Sequence, residues 1–449
     1  MSDNLFENVR QYMNILNNGE LRKILSDMSP SELRDLWTSL NPEESRRIFV
    51  ILPLESKVDL VNELSPPDQE RLIKELTTVS TKRIFEEMEP DDLVDIMQTI
   101  SPEAREAVWS SLSDEAKRET QFLLRFDEDD AAGLMTPRYA AVRSNITIGQ
   151  AIHLVRRDAG EVETVYYIYV VDQLKRLLGV VSLRDMLFTD DSERIENVME
   201  RNVISVREEM DQEEVARTLE EHDLIALPVV DRYGRLLGIV TFDDIIDVIR
   251  EEQTEDVYKM GAMDGSTDRY MDTSIWRLVR KRIPWLTILL LAGTITTNVL
   301  ALYESLFIGA AFLIWFVPVI TQTGGNSGTQ SSTLMIRGIA TGEIHFRDFG
   351  KIFLKEFFIG LIMGLGLAAV IILRSLFLPP GVEWHQAAAI GISLSFVVLF
   401  SSLIGASAPL LIHKLGFDPT VMAGPLMATV IDVAGLSIYF QTARLILNL

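Results

Sequence analysis

Five apolar stretches fill the last two fifths of the chain, near 283–303, 307–335, 352–378, 386–412 and 419–446. Each is long enough for a helix to cross the roughly 30 Å hydrocarbon core of a bilayer. The charges between them set a direction. Arg277, Arg280, Lys281 and Arg282 precede the first stretch. Arg337, Arg347, Lys351 and Lys355 lie in the second loop and Lys414 in the fourth, whereas the first and third loops are poor in basic residues. By the positive-inside rule the N-terminus is cytoplasmic and the C-terminus outside. The expectation is a multi-pass protein of the cell membrane with a five-span helical domain at 276–449.

The front of the chain is of another kind. Residues 1–270 hold 31 Lys and Arg against 57 Asp and Glu, while the remainder holds 11 against 8. A soluble surface this acidic repels nucleic acid and attracts cations. There is no cysteine. Disulfides and thiolate metal sites are therefore excluded, as suits a reducing cytoplasm. The opening Met1-Ser2-Asp3-Asn4 is polar and reads without a signal peptide. The five His residues are scattered, none with a metal-ligand partner at helical spacing.

Residues 1–130 read as short helices in tandem. Ser29-Pro30, Asn41-Pro42, Ser65-Pro66, Glu89-Pro90 and Ser101-Pro102 each place a residue before Pro at a helix start, often with Glu soon after. Helices this short cannot each bury a core, so they should stack as a superhelix. In the most acidic unit Asp91 and Asp95 stand at i and i+4 on one face. Like charges repel there, and a bound cation relieves the repulsion. Acids favouring a helix N-terminus explain Asp91 and Asp92 equally well.

Residues 131–250 contain a repeat. Tyr167 to Asp172 and Leu178 to Leu187 match Ala226 to Asp231 and Leu237 to Ile246, and Met135-Thr136-Pro137 matches Val198-Met199-Glu200. Each half describes a β-α-β-β-α unit. The Pro228-Val229-Val230-Asp231 strand and the Gly-apolar-Val-Ser/Thr-x-x-Asp stretches resemble a tandem CBS-domain pair. The resemblance implies that Ser182 with Asp185, or Thr241 with Asp244, holds an adenine nucleotide such as ATP; a purely structural pair stands equally open.

A connecting helix is expected over 251–275. Asp247, Glu251 and Glu255 form one acidic ridge at i, i+4 and i+8, flanked by Glu252 and Asp256. Divalent cations would neutralise the repulsion stored along it. An exposed charged linker is the plainer alternative.

The membrane domain has a pair of unusual features. Asp432 is the only acidic residue after Asp418. A carboxylate in hydrocarbon costs several kcal/mol and normally faces a protein interior or a watery path. Gly424 and Pro425, about two turns earlier, are expected to break the helix and free carbonyl oxygens beside it. Carboxylate and carbonyl oxygens suit a hard cation. The second stretch is polar from Thr321 to Thr333 and is likewise expected to be broken, by Pro318 and the Gly pair at 324–325, as at a permeation path. Tight packing of small residues is the competing reading.

The order of domains is similar to that of the MgtE family of magnesium channels. The residues carrying the likeness are Thr323 to Gln330, Phe353-Leu354-Lys355-Glu356, and Pro425 to Leu436. The resemblance implies a multidomain membrane protein: a helical superhelix, an α/β CBS pair, a connecting helix and five spans. It further implies a homodimer in the lipid bilayer. Asp432, Ala428, Thr429 and Asn326 would line its pore around a hydrated Mg²⁺. Asp91, Asp95, Asp247, Glu251, Glu255 and Asp256 would bind regulatory Mg²⁺ that closes it. Inward flow would be driven by the membrane potential. No Walker-type motif supports hydrolysis-driven pumping, and no enzyme is expected. The residues alone leave open a transporter of Co²⁺, Ni²⁺, Mn²⁺ or Ca²⁺, and a non-conducting metal sensor.

Overall fold

The computed structural model describes Val9, residues 18–263, Tyr270 and residues 273–448. The polar opening tetrapeptide lies outside the described residues, as do 264–269 and 271–272 of the expected connector. The chain divides into two compact units, 1–249 and 250–449.

Among the described residues the first unit opens with nine short helices between Asn18 and Leu123. Local chemistry starts them. Ser29 and Asn41 each accept backbone N–H groups while Glu32 and Glu44 reach back, closing two capping boxes with Pro at the first helical position. Each helix buries a few apolar residues, such as Leu33, Leu36 and Trp37 in Pro30–Ser39. Packing joins helices two apart: Pro30–Ser39 meets Leu54–Glu63, which meets Thr78–Glu87, which meets Pro102–Ser111. One continuous apolar core results, running from Val9 to Leu112. This is the expected superhelix.

The repeat forms two three-stranded sheets. β1 (Tyr139–Arg143) pairs in parallel with β2 (Thr164–Val171), which pairs antiparallel with β3 (Leu177–Ser182). β4 (Val206–Arg207), β5 (Ala226–Val230) and β6 (Leu236–Thr241) copy that order. The matching openings of the two halves cross over. Thr136 exchanges backbone hydrogen bonds of 2.8 and 3.0 Å with Ile239, and Glu200 exchanges two of 2.9 Å with Val180. Close approach requires the glycines: a Cβ on Gly238 would stand 2.6 Å from the Thr136 carbonyl, and one on Gly179 2.8 Å from that of Glu200. Each half thus completes the other, and Tyr169, Val171, Ala226, Leu236 and Ile239 form a shared core.

β6 runs directly into a helix spanning Phe242–Met260, which carries the acidic ridge from the first unit into the second. Among the described residues the second unit holds five long helices: Ile275–Leu302, Phe312–Ala340, Phe349–Phe377, Trp384–Lys414 and Gly424–Leu447. Four are long and apolar enough to cross a membrane. The remaining one, Phe312–Ala340, is 29 residues long and carries the polar run. The third and fourth pack closely through Gly360, Gly364 and Gly391, where an added Cβ would press on neighbouring backbone or side chains. The first buries only Val299 along its whole length.

Candidate ion path and cation-binding groups

The fifth long helix corrects one expectation. Gly424 and Pro425 do not interrupt it; they start it. Gly424 takes φ +50°, and Pro425 occupies the first turn, where its missing N–H costs nothing. Upstream, Asp418 caps the turn Pro419–Met422 by accepting the Thr420 amide at 2.8 Å. Asp432 therefore lies on an intact helix. Ala428, Thr429 and Asp432 share one half-buried face, while Met427, Ile431, Gly435 and Leu436 face inward. The Thr429 hydroxyl donates to the Pro425 carbonyl at 2.8 Å. Asp432 has no hydrogen-bond or ion-pair partner among the described residues.

The second long helix corrects another. It is continuous from Phe312 to Ala340 despite Pro318 and the glycines. Its polar run has two faces. Gly324, Ser327, Gly328, Ser331 and Ser332 are buried and form the packing surface. The backbones of Gly328 and Gly405 touch so closely that a Cβ on Gly405 would lie 3.0 Å from the Gly328 Cα. Ser327 and Ser402 share a hydroxyl contact at 3.2 Å, and Ser332 donates to the Met422 carbonyl at 3.1 Å. Gln322, Asn326, Gln330 and Thr333, spaced four, four and three apart, lie exposed on the other face. A Cβ on Gly325 would stand 3.6 Å from that of Ala428. The second and fifth helices therefore meet one residue from Asn326 and one turn from Asp432.

The end of the connecting helix joins the same region. Lys259 Nζ lies 2.7 Å from Asp418 and 2.9 Å from Glu255. Burial alone would raise the Asp418 carboxyl, but the bonds from Lys259 and Thr420 hold it below its ordinary value. Lys259, despite partial burial, is held above its own by the two carboxylates. The Met260 carbonyl abuts Gly424 where a side chain would stand. Glu255, an expected metal ligand, is here a partner of Lys259. Asp247 and Glu251 are exposed and Asp256 half-buried. Among the described residues no group of three or more His, Asp or Glu is arranged to hold a metal ion.

In the first unit Asp91 is brought towards Asp244, while Asp95 is exposed. Burial, then the charges of Asp244 and Asp92, push Asp91 well above the usual carboxylate range. Asp92 rises to about 6 through burial and then Asp244, against the Asn62 amide that donates to it. Asp244 also reaches about 6, through burial and then Asp243. Burial and the adjoining Glu89 carboxyl carry Glu163 to about 9. Arg138 offsets some of this, 3.6 Å from Glu89 and 3.2 Å from Glu119. Among the described residues Asp91 Oδ1, Glu89 Oε2 and Glu163 Oε2 are buried with no hydrogen-bond donor from a neutral or basic group. Such a cluster is stabilised by whatever positive charge enters it, proton or metal. Glu89, Asp92 and Glu163 were not among the expected site residues; burial, which no local pattern reports, is what sets them apart.

The two candidate nucleotide pairs differ. Ser182 Oγ donates to Asp185 at 2.7 Å, and both are accessible. Tyr167 stands opposite Ser182 across the β2–β3 ladder. With Asn202, Ile204 and Leu224 it lines a cavity of about 170 Å³. Thr241 also bonds Asp244, but Thr241 is buried and Asp244 faces the carboxylates of Asp91 and Asp92.

Comparison with known proteins agrees with this division. A family profile described as a divalent cation transporter matches residues 317–442, and one described as the MgtE intracellular N domain matches 8–129. The CBS-domain profile matches at 131–190 and 195–251. The magnesium transporter MgtE of Thermus thermophilus is 43% identical over 341 residues, covering 75% of this chain and 74% of that one. The Enterococcus faecalis protein of the same name is 36% identical over 339 residues, covering 74% and 73%. A crystal structure of the cytosolic domain of the Mg²⁺ channel MgtE in complex with ATP is similar at a TM-score of 0.52 and 38% identity, over 54% of this chain and 98% of that one.

Proposed function

Since the chain belongs to the MgtE family of divalent cation transporters, we propose that it is a Mg²⁺ channel of the cell membrane, opened when cytoplasmic Mg²⁺ is scarce. The observation that carries this reading is Asp432: a half-buried carboxylate without a partner among the described residues, the one acidic residue of its helix, against a second helix whose outward face bears Gln322, Asn326 and Gln330. Amides and a carboxylate facing lipid are costly, so both faces require water or a second copy of the chain. A homodimer with these faces turned to its axis meets both needs. The polar helix Phe312–Ala340 is then the fifth membrane span, and the N-terminus is cytoplasmic.

Mg²⁺ sheds its water reluctantly. Two Asp432 carboxylates with Thr429, Asn326 and the Ala428 carbonyl suit recognition of a largely hydrated ion through its water shell. The membrane potential supplies about 2.3 kcal/mol per elementary charge per 100 mV, enough to draw a divalent ion inward without hydrolysis. Regulation rests on the acidic groups. Mg²⁺ held by Asp91 and its neighbours in the first unit, and along Asp247, Glu251, Glu255 and Asp256, with Asp95 at the rim, relieves repulsion and favours the closed form.

The deciding experiment is Mg²⁺ flux into proteoliposomes. Asp432→Asn should lower it at least about tenfold, a loss of roughly 1.4 kcal/mol or more of stabilisation along the path. Wild-type flux in that variant excludes the pore; flux of Co²⁺, Ni²⁺, Mn²⁺ or Ca²⁺ but not Mg²⁺ transfers the reading to another ion.

A nucleotide is a second ligand. The accessible Ser182–Asp185 pair, across the ladder from Tyr167 of that small cavity, favours that site, because phosphates at Asp244 would meet Asp91 and Asp92. ATP binding lost in Asp185→Ala and kept in Asp244→Asn supports the assignment, and the reverse pattern removes it.

A further inference from the structure

A second carboxylate lies inside the membrane unit. Glu356, on the third long helix, is only 4% exposed. It heads a buried stripe, Glu356, Gly360, Gly364, Ala368, whose glycines seat the helix against Leu399, Ser402 and Ser395 of the fourth. A carboxyl group there is expensive unless it does something an apolar side chain cannot. Its partner shows what that is. Ser331 on the second helix donates to Glu356 Oε2 at 2.9 Å. Several hydroxyls of this unit bond back to their own helix, as Ser375 does to Ile371, Ser393 to Ala389, Thr429 to Pro425 and Ser437 to Val433. Ser331 instead reaches across to another helix.

The next residue extends the connection. Ser332 holds the Met422 carbonyl, the last of the turn that launches the fifth helix. That turn is capped by Asp418, which Lys259 grips from the end of the connecting helix. Polar contacts therefore run from the connecting helix, through the start of the helix bearing Asp432, to adjacent serines on the helix bearing Asn326, and end on Glu356. We propose that Glu356 is a positioning residue for cation permeation: by taking the Ser331 hydroxyl it fixes the second helix against the fifth, so that Asn326 and Asp432 keep their mutual setting. This rests on the reading of Asp432 as a pore residue. It assigns Glu356 a hydrogen-bonding role outside the ion's path.

The test uses the full chain in proteoliposomes, with Asp432→Asn as the separate control for the pore. Loss of this buried hydrogen bond is expected to lower maximal Mg²⁺ flux about tenfold in Glu356→Ala and several-fold in Ser331→Ala. Glu356→Gln keeps an acceptor oxygen and should restore flux to within about threefold of wild type. In the double variant the losses should not multiply, because both remove one contact. Wild-type flux in Glu356→Ala overturns the proposal. So does a Glu356→Gln as poor as the Ala variant, which would place the charge itself on the path, and so do losses that multiply. If Glu356→Ala does not fold, the Gln rescue and the small Ser331→Ala change still decide. Flux blocked in Asp432→Asn but untouched by every Glu356 and Ser331 change sinks only the positioning role. Flux untouched in Asp432→Asn sinks the pore reading itself.

Discussion

At the scale of single residues, Lys259 carries the sharpest consequence. Its ammonium stands between Glu255 and Asp418, where two carboxylates would otherwise repel. The pair is partly exposed, so its worth is about 1 kcal/mol. Lys259→Gln should therefore free the end of the connecting helix by roughly fivefold, read as faster hydrogen exchange of the Glu255 to Met260 amides. Lys259→Arg, which keeps the charge and leaves the Asp418 cap intact, should retain most of the protection. Unchanged exchange in Lys259→Gln, or equal loss in Lys259→Arg, means the ion pair holds nothing. Gly424 adds a second constraint. Its φ of +50° and the adjoining Met260 carbonyl leave no place for a Cβ. Gly424→Ala is accordingly expected to loosen the same amides as much or more.

At the scale of elements, the two faces of the second helix should respond differently. Gly405→Ala pushes a methyl into the Gly328 backbone and is expected to cost about 1–3 kcal/mol of stability through overpacking. Asn326→Leu touches an exposed amide and should leave thermal stability nearly unchanged while lowering Mg²⁺ flux. Equal thermal shifts in both would show that the amide face is structural. The same helix shows what a sequence conveys and what it hides. Its polarity is plain, but polarity alone does not separate a broken helix from one with a packing face and a wet face. That distinction depends on Gly405, far along the chain. Pro425 misleads for a related reason. Proline begins a helix as readily as it breaks one, and with Ala423 as the cap no Ser, Thr or Asp marks the boundary. The N-terminal helices are legible because their caps and prolines are local, and the CBS pair because it repeats. Glu356 stands out in the sequence only within a family-like stretch, since a Glu beside Lys355 looks like an interfacial charge until its burial is known.

At the scale of the whole molecule, protons and a divalent cation are expected to offer the acidic front the same relief. Asp92 and Asp244 titrate near 6 and Glu163 near 9, all above their unfolded values of about 4. The folded state therefore binds more protons than the unfolded one from about pH 4 to 6, and through Glu163 up to about 9. Stability is gained as pH falls through that window and lost as it rises. Glu89, Asp91, Asp243 and Asp247 share the negative field, and Arg138 opposes it. A divalent cation supplies the same relief that protons do, so the two should compete. Hydrogen exchange of the amides from Glu89 to Asp95 in the full chain measures this. Without Mg²⁺, protection should be greater at pH 5.5 than at pH 7.5. With Mg²⁺, the gain should be large at pH 7.5 and small at pH 5.5, and the midpoint should fall by up to about tenfold per pH unit for each proton displaced. Asp92→Asn with Asp244→Asn should protect the segment without Mg²⁺ and flatten both dependences. A midpoint indifferent to pH would separate the carboxylate cluster from the cation response and move regulation elsewhere in the acidic half.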